Sequence, residues 1–285
     1  MTEVSWGQSC TFAAAMSKNS VRKVIVILAA TFVILVVAFQ LLQDKIIFQG
    51  VRLSGSYQFA FDHPFEEHFI STPDGHQINL ILFKTSQKPK GLILYFHGNR
   101  DNLQRWGNYA TDFTKYGYEV LMMDYRGYGK STGKPNEQVL YADAKLVWQW
   151  TKNTLATSPS PLVVYGRSLG TAVASQLAAE ARPALLILET PFDELRGAIV
   201  PWLKPVFSVL PFSYEFPTHH HLAKTDCRKV IFHGTEDMIT PISSAMRLKP
   251  LLKEGDEFFV IPQGAHGNLR EFKEYHLKLA EVLKQ

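Results

Sequence analysis

From residue 65 onward the chain alternates short apolar runs with stretches of helical periodicity, and that alternation predicts the architecture. Phe65–Ile70 and Ile78–Phe83 flank Pro73-Asp74-Gly75, a turn signal, and read as an antiparallel hairpin. The later runs are Gly91–Phe96, Glu119–Met123, Leu162–Tyr165, Leu185–Leu188, Val230–Phe232 and Phe258–Ile261. Between them lie helix candidates over Leu103–Lys115, Glu137–Thr151, Leu169–Ala181 and Ser243–Lys253, with a last one over Leu269–Leu283. A hairpin followed by strand–helix units, with runs apolar on both faces, predicts a mostly parallel central sheet of about eight strands flanked by helices. In such sheets the chemistry gathers at the carboxyl ends of the strands.

Upstream, Val24 to Leu42 carries no charge and only two polar residues, Thr31 and Gln40. A helix of that length spans roughly 28 Å, close to the hydrocarbon thickness of a bilayer. Lys18, Arg22 and Lys23 precede it, whereas Asp44 and Lys45 cancel after it. The positive-inside rule therefore predicts a single-pass anchor with residues 1–23 as a cytoplasmic tail and the remainder extracytoplasmic. Two other readings stay open: a signal peptide cleaved after Val36-Val37-Ala38, and a buried core helix, although no polar face is visible. Residues 43–64 read as a connector with aromatic content (Phe48, Tyr57, Phe59, Phe61), expected to pack on the domain edge and to carry no chemistry of its own. A chain beginning near Gly50 is accordingly expected to be soluble and active. Residues 65–285 form the catalytic domain.

Composition narrows the function classes. Over 285 residues, 46% hydrophobic and 20% charged content suits a packed globule. A net charge of +4 without a dense basic run gives nucleic-acid binding little support. Cys10 and Cys227 lie far apart, on opposite sides of the apolar segment, so neither a disulfide framework nor a thiolate metal site is expected. His219-His220-His221 does not form a metal site on regular backbone, because three adjacent side chains cannot all face one ion. No cofactor motif is present, and oligomeric state is not legible.

The candidate chemistry centres on Leu162-Val163-Val164-Tyr165 followed by Gly166-Arg167-Ser168-Leu169-Gly170 and the helix former that starts at Thr171. Strand, Gly-x-Ser-x-Gly, helix is the context of a nucleophile elbow. Gly166 and Gly170 are read as elbow glycines, because larger side chains would collide with the neighbouring strand and helix. A serine hydroxyl needs a base. Among ten histidines, His266 alone follows the last apolar run, in Pro262-Gln263-Gly264-Ala265-His266-Gly267-Asn268. His276 lies on the final helix and reads as a surface or packing residue. The orienting acid is Asp237 or one of Glu236, Asp193 and Glu189.

With His97-Gly98-Asn99 after one strand, the Asp124-to-Gly133 loop after the next, and His233-Gly234-Thr235-Glu236-Asp237 after a later one, the chain resembles the α/β-hydrolase superfamily. It is most similar to the small membrane-anchored branch of Bem46-like and ABHD13/ABHD17-like proteins, over Phe65 to the carboxyl end. The resemblance implies an α/β-hydrolase fold and favours Asp237, which fits the family pattern His-Gly-Thr-x-Asp. It also implies backbone N–H donors for an oxyanion at Leu169 and at Asn99 or Arg100, with His97 supporting the loop and Arg126 packing it. The implied activity is a serine hydrolase that cleaves a carboxylic ester or thioester of a small-molecule or lipid acyl substrate, without metal or cofactor. The alternatives are a serine peptidase of the same fold and a silent, membrane-tethered binding protein. Relatives that remove palmitate from proteins carry an amino-terminal cysteine cluster, and here Cys10 stands alone. Residues 192–227 exceed a plain crossover. Pro201, Pro205, Pro211 and Pro217 break them into pieces that suit a small cap, and Trp202, Leu203, Val206, Phe207, Val209, Leu210, Phe212 and Phe216 are expected either to wall, in part, an acyl pocket above Ser168 or to pack on the sheet edge or touch the bilayer.

Overall fold

Strands that are apolar on both faces are satisfied only between two helix layers, and the central sheet of this protein is built that way. The computed structural model describes residues 18–155, 161–199 and 210–284. The expected cap residues Pro201, Trp202, Leu203, Pro205, Val206, Phe207 and Val209 lie outside the described residues. Two compact units divide after Leu42.

The first unit holds most of helix α1 (Lys18–Ile47), which is long and apolar enough to cross a membrane. It extends past both ends of the predicted span.

The second unit begins with the last turn of α1 and a two-residue strand, β1 (Gln49–Gly50). Then come β2 (Phe65–Ser71), β3 (Gln77–Phe83), β4 (Gly91–Phe96), β5 (Arg100–Asp101), β6 (Tyr118–Met123) and β7 (Leu162–Arg167). The last three are β8 (Leu185–Glu189), β9 (Arg228–Gly234) and β10 (Glu257–Ile261). Among the described residues, eight of these strands form one sheet in the order β10-β9-β8-β7-β4-β6-β3-β2. β2 and β3 pair antiparallel, as do β3 and β6, and the other neighbours are parallel. Alternate residues fill opposite layers. Leu92, Leu94 and Phe96 join the core under the helices Glu137–Thr154 and Leu169–Ala181, while Ile93 and Tyr95 join the core under Lys273–Val282.

Three expected helices are shorter than read. Leu103–Lys115 divides into the helix Leu103–Trp106, a 3₁₀ turn Gly107–Tyr109 and the helix Thr111–Thr114. The break occurs where Gly107 lies against the rings of Phe61 and Phe83, with no room for a Cβ. Ser243–Lys253 becomes the helix Ile242–Ala245 and a 3₁₀ stretch Met246–Leu251, which contains Pro250, a residue with no N–H to give to a helix. The last candidate opens with a 3₁₀ turn, Leu269–Glu271, before the helix Lys273–Val282. The cap stretch contributes a 3₁₀ turn, Leu195–Ala198, and the helix Thr218–Ala223.

The connector packs on the domain edge and adds a short strand to it. β1 pairs in parallel with β5 in a separate two-stranded sheet, so residues 49–50 lie against the segment that immediately follows His97-Gly98-Asn99 at the carboxyl end of β4.

Candidate active site

The turn after β7 holds Ser168 at φ 52°, ψ −119°, a backbone conformation that side-chain-bearing residues rarely adopt. Its N–H donates to Glu189 O at 3.0 Å, and its carbonyl starts the following helix by accepting from Thr171 N at 2.9 Å. A Cβ on Gly170 would run into the carbonyl of Phe96, and one on Gly166 into the carbonyl of Gly170. Those two glycines are therefore what lets the elbow fit between β4, β7 and the helix.

The three residues read from the sequence meet at this edge. Ser168 Oγ lies 3.0 Å from His266 Nε2, and His266 Nδ1 lies 2.8 Å from Asp237 Oδ2. Asp237 is buried and accepts further hydrogen bonds from the N–H groups of Ile239 (2.9 Å) and Thr240 (2.8 Å) and from Thr240 Oγ1 (2.9 Å). Burial alone would push its carboxyl up, but the bonds from His266 and the Thr240 N–H outweigh burial and hold it below the usual carboxylate range. An ionised carboxylate only accepts, so the ring presents Nδ1–H to it and leaves Nε2 free to accept from the serine.

Of the other acids read as alternatives, Glu236 is exposed, and Asp193 and Glu189 are engaged elsewhere. Asp193 takes hydrogen bonds from Ser244 Oγ (2.5 Å) and Arg247 Nη2 (2.7 Å). Glu189 is buried against the hydroxyls of Tyr165 and Tyr275 and 3.3 Å from Arg167 Nε. His97 is buried, with its ring stacked on Trp106 and Nδ1 2.7 Å from Gly98 O. Arg126 is clamped by both carboxylate oxygens of Asp143, at 2.8 and 2.9 Å. The loop after β4 reaches the elbow at Gly98, where an added Cβ would stand 3.7 Å from Ser168 Cβ. Asn99 comes next, and Leu169 is the first residue of the elbow helix.

Two residues near the site were not singled out from the sequence. Thr240 Oγ1 sits 2.9 Å from Asp237 Oδ2 and 3.1 Å from His266 Nδ1, spanning the pair. Arg167, at the variable position of the pentapeptide, is buried and donates from Nη2 to the His266 carbonyl at 3.1 Å. Its guanidinium faces the rings of Tyr109 and Trp106, at 4.7 and 5.3 Å. The sequence did carry a signal for it: a charged residue ending a buried strand needs a partner, and Glu189 ends the adjacent one.

Among known proteins, the family described as serine aminopeptidase, S33, matches residues 87–215. An uncharacterized protein of Mycobacterium tuberculosis is 32% identical over 203 residues, covering 70% of this chain and 71% of its own. Human alpha/beta hydrolase domain-containing protein 17B is 26% identical over 215 residues, covering 75% of this chain and 73% of its own. In fold, the Pyrococcus furiosus esterase Pf2001 matches with a TM-score of 0.64 at 18% identity, covering 84% of this chain and 97% of its own. A monoglyceride lipase of Saccharomyces cerevisiae matches with a TM-score of 0.63 at 14% identity, covering 81% and 97%. With the elbow, the sheet order and these relatives together, the chain belongs to the α/β-hydrolase superfamily, in the branch of the α/β-hydrolase-domain-containing proteins.

Proposed function

We propose that this protein is a serine hydrolase that cleaves a carboxylic ester or thioester through an acyl-enzyme. The observation that carries the reading is the unbroken line of contacts from Ser168 Oγ through His266 to Asp237. In the proposed cycle His266 Nε2 takes the hydroxyl proton as Ser168 Oγ bonds to the acyl carbon. Asp237 holds the ring in the required tautomer and stabilises the imidazolium. The N–H groups of Leu169 and Asn99 receive the oxyanion, each such donor being worth about 3 kcal/mol of barrier. His266 then protonates the leaving alcohol or thiol, and water repeats the sequence to release the acid and regenerate the serine.

The expected result is that a fluorophosphonate probe labels the full chain, that p-nitrophenyl acyl esters turn over, and that Ser168→Ala loses both while remaining folded. Labelling that persists in Ser168→Ala would sink the reading. The serine aminopeptidase description of the matched family supports a second reading, peptidase activity. Aminoacyl-p-nitroanilides in the same panel discriminate the two, and the relative kcat/KM decides.

The Val24–Leu42 segment is proposed to be a retained single-pass anchor, with the amino terminus cytoplasmic. Its support is the apolar length of α1 and the basic residues Lys18, Arg22 and Lys23 before it. The chain should stay with membranes through high-salt and alkaline washes, and protease outside sealed vesicles of native orientation should reach the catalytic domain. Protection of that domain would reverse the orientation.

A further inference from the structure

The stretch that leaves α1 runs directly along the loop proposed to hold the oxyanion. Asn99 is tied three times: its Nδ2 donates to Ile47 O (3.0 Å), and its carbonyl accepts from Gln49 N (2.9 Å) and Tyr128 Oη (2.8 Å). Two residues on, the pairing continues, with Val51 N donating to Asp101 O (3.1 Å) and Asn102 Nδ2 to Val51 O (3.0 Å). Asp101 sits at φ 69°, a conformation that persists only where its surroundings over-determine it. Behind β1 the same stretch grips the Asp124-to-Gly133 loop, through Gly129 N to Val51 O (2.9 Å) and Leu53 N to Gly129 O (2.8 Å). On its other flank, Gln43 exchanges hydrogen bonds of 2.9 Å with Ser213, and Asp44 accepts one of 2.7 Å from Tyr214 Oη.

A peptide N–H can stabilise an oxyanion only if it is already aimed when charge develops, so whatever fixes the plane of the Gly98–Asn99 peptide fixes the strength of that donor. The carbonyl of that peptide, Gly98 O, lies 2.7 Å from His97 Nδ1. The other side of the Asn99 Cα, its side chain and its own carbonyl, is fixed by Ile47, Gln49 and Tyr128, the first two in a stretch to which sequence analysis assigned no chemistry. We infer that residues 47–53 are a positioning element of the oxyanion pocket, so that turnover depends on the chain just beyond α1. This rests on the serine-hydrolase reading above. It also predicts that a chain beginning near Gly50, expected above to be soluble and active, turns over more slowly than the full chain, because that cut removes the Ile47 carbonyl and the Gln49 N–H.

The test uses the full chain in detergent micelles, with two substitutions that perturb the tie from opposite sides. Asn99→Ala keeps the backbone donor but loses the bond to Ile47. Gly50→Val brings a Cβ to within 2.5 Å of Tyr128 Cγ, displacing the ring whose hydroxyl holds the Asn99 carbonyl. Both should lower kcat on a p-nitrophenyl ester by about tenfold or more, with KM changed by less than about twofold, since a misaimed donor is lost in the transition state and not in substrate binding. Amides 98–102 should exchange with deuterium faster in both, with the protection of β7 and β8 unchanged. A parental kcat in both variants, or parental protection of amides 98–102 in both, overturns the inference. If Ser168→Ala retains the parent's hydrolysis, it is the serine-hydrolase reading that falls, and the exchange data alone then decide whether residues 47–53 hold the loop.

Discussion

After β4 the chain reads His97-Gly98, after β9 it reads His233-Gly234, and the two imidazoles are held alike. Both are buried, and each Nδ1 meets the carbonyl of the following glycine, at 2.7 Å and 3.0 Å. Each Nε2 faces an aspartate, Asp124 Oδ1 at 3.4 Å and Asp237 Oδ2 at 3.9 Å. The aspartates then diverge. Asp124 is fully buried, and its one backbone donor is the N–H of Leu103, at 3.1 Å from Oδ1 and 3.3 Å from Oδ2. Burial pushes its carboxyl up, against the opposing pull of His97, toward the protonated form that can donate to an imidazole lone pair. Asp237 has two N–H donors, the Thr240 hydroxyl and His266, and is held down. A carboxyl that burial pushes up suits bracing a loop, whereas one held down by its donors suits the proposed role of orienting a base and meeting its developing positive charge. The donors gathered around each carboxylate separate the two roles, and the shared His-Gly does not.

Amide substitution breaks this comparison most severely. In Asp237→Asn the side chain no longer demands Nδ1–H from His266, the ring can adopt the wrong tautomer, and kcat should fall by up to about 10⁴. Asp124→Asn should act differently, because an amide still accepts from Leu103 N–H and can donate to His97 Nε2. Its kcat/KM should stay within about fivefold of the parent. Steady-state kinetics on one ester measures both. Equal losses in the two variants would mean that Asp124 shares in the chemistry. A full loss in Asp193→Asn or Glu189→Gln with Asp237→Asn active would reassign the acid.

The contrast also marks what a sequence can disclose. The elbow was legible because its demands are local: an apolar strand, two glycines and a helix former within about twenty residues. His266 was legible because it sits in a glycine-flanked loop directly after an apolar run. Choosing Asp237 over Asp193 or Glu189 took a family pattern, since what separates the three is which backbone N–H groups and cations surround each one after folding. Arg247 reaches Asp193 from 54 residues away, and Tyr275 reaches Glu189 from 86. The bridge from Gln49 to Asn99 was illegible for the same reason. A two-residue strand has no periodicity, and its partner lies some fifty residues further along the chain, at Arg100–Asp101. The break at Gly107 shows the reverse limit, where a helical pattern yields to two phenylalanine rings that no local reading brings together.

Acid titration of stability gives the finest test, with effects of a few degrees. Asp237 has a folded pKa below its unfolded value of about 3.9, so its contribution is fully present above that value and is lost as pH falls through the folded one. Asp124 has a raised folded pKa. Its contribution is therefore present below about pH 3.9 and is lost as pH rises through the folded value, which leaves a buried carboxyl disfavouring the native state on the alkaline side. His233 is also held below its ordinary value, by burial, and so adds stability above about pH 6.5 that is lost on acidification in either variant. Asp237→Asn should thus lower Tm by roughly 2–4 °C at pH 7 and nearly as much at pH 4, and by less only as pH falls below about 3.9. Asp124→Asn should hold or raise Tm at pH 7 and lower it, relative to the parent, toward pH 4. Differential scanning calorimetry of the two variants and the parent, from about pH 3 to 8, reads the crossing directly. Parallel Tm curves for the two variants would mean that the carboxyls share one electrostatic environment, and the division between a bracing acid and an orienting acid would fall with them.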